Sequence, residues 1–156
     1  MNLILEFIAI FSAGLFCGAA IYINLVEHPA RLSCGTVLAI TEFAPSYKRA
    51  TVMQVFLAVI SFLSSLIAWI LHSNIYWLIG GILIVLVIPF TIIAILPTNK
   101  KLIDSSLDMD SEYAKNLLTR WGRLHAVRSI LSLLSFIIFL CALIWPGADV
   151  VMRQPG

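Results

Sequence analysis

The sequence predicts an all-α protein, a four-helix transmembrane bundle forming a single domain over residues 1–156. Three observations point there. Hydrophobic residues make up 61% of the chain and charged ones only 12%, against roughly 45–50% and about 25% in a soluble domain. The apolar residues are gathered into four runs, each near the roughly 20 residues a helix needs to cross hydrocarbon. The sequence has none of the alternating segments of about ten residues that build a membrane β-barrel, and an open strand edge has no partner in lipid.

The first span runs from about Leu3 to Val26, interrupted only by Glu6 and Asn24. It lacks the basic start, short apolar core and small-residue cleavage site of a signal peptide, so it is expected to remain as a span. Gly14 and Gly18 form a GxxxG spacing, a face that suits close helix packing within the bundle or in a homo-oligomer. Pro29 makes a helix interior unfavourable there and biases His28 towards an extended backbone. The second span runs from about Thr51 to Leu71 and the third from about Ile75 to Leu96, thinned at Gly80 and Gly81. A kink is expected at Pro89, which removes a backbone donor. The fourth, about Ser129 to Trp145, is the shortest, and is expected to continue a helix that starts near Ser111. Trp69, Tyr76, Trp77 and Trp145 lie near one set of span ends, as an interfacial aromatic belt would. No repeat, linker or low-complexity tract stands out.

Orientation follows from the basic residues. Arg31, Lys48 and Arg49 lie between spans one and two, and Lys100, Lys101, Lys115, Arg120, Arg123 and Arg128 between spans three and four. Arg153 alone lies on the other side. The positive-inside bias places both long loops in the cytoplasm and both termini outside, in the inner membrane if the cell is bacterial. A net charge of +2 with no dense basic run gives no reason to expect nucleic acid. Cys17, Cys34 and Cys141 form no metal or redox spacing; Cys17 and Cys141 read as small hydrophobes and Cys34 as a loop residue.

The polar residues that approach membrane depth gather at one face. Asn24, Glu27, His28 and Arg31 follow span one; Tyr47, Arg49 and Gln54 open span two. Asn99 and Lys100 close span three, and Trp121, His125 and Arg128 precede span four at i, i+4 and i+7, one inward stripe. Arg120 and Arg123 point away from that stripe, towards headgroups or water. Ionisable groups facing a bundle at this depth cost about 2.5–3.5 kcal/mol each when at mid-helix, so they mark function by default. Glu27, His28 and His125 are candidate ligands for a single transition metal, although their spacing matches no ligand signature. Cofactor-free chemistry is the alternative. A histidine can take a proton from an acidic organic substrate while an arginine holds the oxyanion.

The strings YINLVEHPARL (Tyr22 to Leu32), YKRA (Tyr47 to Ala50), PTNKKL (Pro97 to Leu102) and RWGRLHAVRS (Arg120 to Ser129) resemble the anthrone oxygenase-like membrane proteins, over essentially the whole chain. The resemblance implies a four-span fold and oxygen-dependent oxidation of an apolar polycyclic phenol. In that setting His125 is the expected base and Arg128 stabilises the enolate. His28 assists. Asn24, Glu27, Arg31, Asn99, Trp121, Gln54 and Tyr47 contact the substrate, which enters laterally from the bilayer. A non-enzymatic subunit that binds a partner or ligand through the same cluster, and a small carrier, are the rival classes.

Overall fold

The computed structural model describes residues 3–145. Every regular element in that range is helical. α1 (Leu3–Tyr22) passes through a π-helical turn, Ile23–Glu27, into α2 (His28–Ser33). α3 (Thr36–His72) returns, α4 (Ile75–Phe90) passes through a second π turn, Thr91–Ile95, into α5 (Leu96–Leu102), and α6 (Glu112–Ile144) closes the bundle. This makes four continuous helical rods, each long and apolar enough to cross a membrane. Each rod packs on its two neighbours to form a closed ring. Large apolar side chains such as Phe7, Phe56, Ile70, Ile93 and Ile130 face outward, where only hydrocarbon would accept them.

Small residues let the rods approach. Ala9, Ala13, Ala20, Ala58, Ala68 and Ala142 are buried at the seams, and a Cβ on Gly80 would lie 2.5 Å from the Phe139 ring. Serine hydroxyls tie neighbouring rods: Ser61 donates to the Ala9 carbonyl at 2.8 Å and Ser135 to the Gly80 carbonyl at 2.7 Å. Such bonds suit a solvent with no partners of its own, and each is worth about 0.6 kcal/mol on average. Two tight turns set the hairpins. Gly35 takes φ +94 before α3, and Ser73 takes the left-handed conformation after it. Asn74 then caps α4 through Tyr76 N–H and donates to the Ala142 and Trp145 carbonyls. Ser111 caps α6 through Ala114 N–H, at the start expected from the sequence.

Four expectations are corrected. α3 begins at Thr36, well before Thr51, and runs through Pro45, whose ring lies on the exposed face. His28 is helical (φ −66, ψ −44), not extended. The reason is the π turn. Pro29 offers no N–H and its ring crowds the preceding turn; the wider π turn absorbs this, with His28 N–H bonding the Ile23 carbonyl five residues back. The same device recurs in the third rod. There Leu96 N–H bonds the Thr91 carbonyl, just before Pro97, so the departure from α geometry falls at Thr91–Ile95 and not at Pro89. Trp77 is no belt residue: it is 2% exposed and stacks on Phe139 at 5.5 Å. Gly14 of the GxxxG pair packs against Phe136, while Gly18 meets open space. Arg153, used for orientation, lies outside the described residues.

Candidate functional site

Both π turns lie at the same end of the bundle, and a small cavity sits at that end, bordered by Ile23 and Glu27 of the first turn. It holds about 20 Å3, room for one water-sized molecule. All four rods line it: Glu27 and Arg31 from the first, Tyr47 and Gln54 from α3, Asn99 from α5, and Trp121, His125 and Arg128 from α6. Trp121, His125 and Arg128 are 6%, 2% and 8% exposed, whereas Arg120 and Arg123 face outward. The stripe read from the sequence is the inward face of α6.

Asn24 fixes the His125 ring. Its Nδ2 donates to the Gly122 carbonyl at 3.1 Å, so its Oδ1 is the atom that faces His125 Nδ1 at 2.7 Å. A carbonyl oxygen only accepts, so Nδ1 carries the proton and Nε2 carries the lone pair, a tautomer assigned from the hydrogen-bond network. Ser129 Oγ, 2.6 Å from Asn24 Oδ1 and 3.0 Å from the Ala20 carbonyl, supports the same amide. Asn24 thus acts on His125, its side chain already occupied within the protein.

Arg128 donates to Gln54 Oε1 at 2.5 Å and lies over the Phe16 ring at 5.6 Å. No carboxylate among the described residues pairs with it. Arg128 Nε and Gln54 Nε2 lack partners, as do both amide atoms of Asn99, a side chain 1% exposed. Arg31 is the opposite case. It pairs with Glu27 and Glu42, and Ser46 Oγ donates to Glu27 at 3.1 Å. Tyr47 stacks on Phe43, which meets Trp121 edge-on at 5.3 Å.

His28 does not line the cavity. Its ring contacts Trp121 at 5.1 Å between centroids, while Trp121 contacts His125 at 4.8 Å. Gly122 makes its seat, since a Cβ there would stand 2.6 Å from His28 Nε2. As a metal site the set does not converge: no three His, Cys, Asp or Glu side chains gather among the described residues, and the Glu27 carboxylate is committed to Arg31 and Ser46. Glu42, Ser46, Gly122 and Ser129 belong to the site but are not singled out by the sequence. Reading 36–50 as helix would have found two of them, because Glu42 and Ser46 then stand four residues apart on one face.

At the other end, Glu6 lies 3.4 Å from His72 beside an apolar groove of about 560 Å3 walled by residues such as Phe7, Phe11 and Phe136. That groove shares no lining residue with the cavity. A family model described as anthrone oxygenase matches residues 43–138. The match includes Tyr47, Gln54, Asn99, Trp121, His125 and Arg128 and begins after Asn24, Glu27, His28 and Arg31. No curated protein and no solved structure matches the chain.

Proposed function

The chain belongs to the anthrone oxygenase family, and from that premise we propose that it oxidises an apolar polycyclic phenol with dioxygen, the reacting edge of the ring system facing the small cavity that His125 and Arg128 line. The observation that carries the reading is the pairing, in one buried site, of a histidine held with Nε2 as its basic nitrogen and an arginine without a counter-ion among the described residues. An anthrone-type substrate has a methylene carbon made acidic by the ring ketone. His125 Nε2 removes one methylene proton, and the electron pair moves into the ketone, whose oxygen becomes an enolate held by Arg128 and Gln54 Nε2. The electron-rich carbon bonds dioxygen, and the resulting peroxide takes the proton back from His125. Loss of the second methylene proton and cleavage of the O–O bond leave a second ketone and water. Four electrons pass from carbon to dioxygen, so no further reductant is required. Asn24 and Ser129 position the base, and Asn99 orients the substrate. Positive-inside bias puts this end of the bundle towards the cytoplasm.

The test is oxygen uptake by the protein in lipid nanodiscs with a hydroxyanthrone, against protein-free nanodiscs. One dioxygen consumed per quinone formed is expected, and His125→Gln should lower turnover by about 10²–10⁴-fold. Full turnover in His125→Gln would remove the base from this scheme, and a wild-type protein that oxidises no such substrate would sink the reading.

A further inference from the structure

Two grooves reach the cavity through the wall of the bundle, and their chemistry differs. One lies between α3 and the rod made by α4 and α5, and encloses about 330 Å3, within the range of about 300–1,000 Å3 found for small-molecule sites. Its walls are apolar, built from Val55, Val87, Ile88, Ile92 and Leu96. The second π turn shapes its edge: Thr91 and Ile92 belong to that turn and line the groove, and the Thr91 hydroxyl is turned back onto the Val87 carbonyl at 2.6 Å. At its inner end stand Tyr47, Thr51, Gln54 and Arg128, and all four also line the polar cavity. No carboxylate lines it.

The other groove, between the first rod and α3, is wider at about 580 Å3 but is lined by Glu27 and Glu42. Arg49 lines this groove as well, exposed on α3, and Arg31 behind the two carboxylates is already neutralised by both. An anion approaching there therefore meets charges of both signs at an open surface and no buried cation left to answer. The α3–α4 groove leads instead to Arg128, which is 8% exposed and without a counter-ion among the described residues. It also leads to Gln54, 1% exposed with Nε2 unpartnered. A guanidinium kept at membrane depth without an anion is costly, and an anionic oxygen seated there relieves that cost. Val55 and Ile92, 42% and 58% exposed, flank the outer mouth, so the groove opens on the apolar face of the bundle and not at its end.

We propose that the groove between α3 and α4 is both the seat of the substrate and its lateral entrance from the bilayer. A planar aromatic body lies between Val55, Ile88 and Ile92, and its phenolate or enolate oxygen meets Arg128 and Gln54. The class of molecule rests on the oxidase reading above; the route rests on the groove's walls and charge.

The experiment measures binding apart from turnover. The probe is 1,8-dihydroxyanthraquinone, a planar phenol already at the oxidation level of the product, titrated into the full chain in nanodiscs. Val55→Trp and Ile92→Trp obstruct the mouth from positions that face outward, with folding checked by circular dichroism and gel filtration. Each is expected to raise the Kd at least about tenfold, while Met53→Trp, in the wider groove, leaves it within about twofold. The reverse pattern would assign entry to the carboxylate-lined side and overturn the proposal. A wild-type protein that does not bind the probe would give the groove to a lipid tail and overturn it equally. If the Kd shifts as stated but no anthrone is oxidised, the groove stands and the oxidase reading falls. If anthrone turns over while both tryptophan variants bind and react as wild type, the reaction stands and the groove falls.

Discussion

Arg31 and Arg128 are buried to nearly the same extent, 7% and 8% exposed, at the same end of the bundle, yet the protein surrounds them in opposite ways. Arg31 holds Glu27 from its own rod and Glu42 from α3, and both of its aromatic contacts, Phe43 and Trp121, are 6.0 Å away. It ties two rods together with its charge answered. Arg128 has an amide oxygen and a phenyl face but no carboxylate. The asparagines divide the same way. Asn24, beside the first π turn, spends its amide on Gly122, His125 and Ser129, while Asn99, just past the second, spends none. The same backbone device, used twice, therefore carries a satisfied Asn24 and Arg31 at the first turn, where the His28 ring nitrogens lack partners, and a wholly unsatisfied Asn99 at the second. Unsatisfied polar groups lower stability, and their concentration beside a cavity is what the proposed ligand site accounts for.

The contrast is sharpest if the two arginines are removed separately. Arg128→Gln should cut turnover by about 10²–10³-fold, the loss typical of an oxyanion donor, with the midpoint of thermal unfolding unchanged or raised. Arg31→Gln should do the converse. It strands two carboxylates, one of them on the half-exposed Glu42, and should cost about 1–3 kcal/mol of stability with a smaller effect on turnover. Equal destabilisation in the two variants would erase the distinction between scaffold and site.

A smaller effect separates the asparagines. Asn24→Leu should lower stability by about 1–3 kcal/mol, because it leaves the Gly122 carbonyl and His125 Nδ1 without partners. Asn99→Leu, which replaces an unpaired amide by an apolar group of similar shape, should be neutral or stabilising while raising KM. Thermal unfolding in detergent checks both.

The smallest effect lies just beyond the second π-turn rod, in the loop that follows α5. Ser106 N–H and hydroxyl bond the Asp104 carboxylate at 2.9 and 2.7 Å and hold its pKa below the ordinary carboxylate value. A lowered folded value means that this turn is supported above about pH 3.9, the ordinary aspartate pKa, and loses that support as pH falls through the lower value. Hydrogen exchange at the Ser106 amide, corrected for its intrinsic rate, should therefore speed up in acid, and Asp104→Asn should abolish the change.

Much of the architecture was legible in the sequence because lipid imposes a simple length rule. The four spans, the long final helix from Ser111, and the inward Trp121, His125 and Arg128 all follow from hydropathy and from 3.6-residue spacing. Two of the errors, at His28 and at Pro89, come from the reading of proline. Pro29 argued for a break, and the helix runs through it because a π turn makes room; helix also runs through Pro45, in a segment left outside the spans read from hydropathy. With 36–50 taken as loop, Glu42 and Ser46 had no face to share with Arg31, and its neutralisation was invisible. The π turns themselves, INLVE and TIIAI, have little in common beyond the proline that follows, so composition could not announce them. Trp77 was misplaced because a tryptophan near a span end fits a belt and a core equally well by position alone.

The sideways opening of the groove between Val55 and Ile92 has a kinetic meaning. A molecule arriving through it has already left water, so the quantity that governs occupancy is its mole fraction in the bilayer. The membrane then serves as reservoir and first filter. A ring system made too hydrophilic to partition would be rejected before it met a single side chain, and the few polar groups around Arg128 need only choose among the compounds that the lipid has admitted.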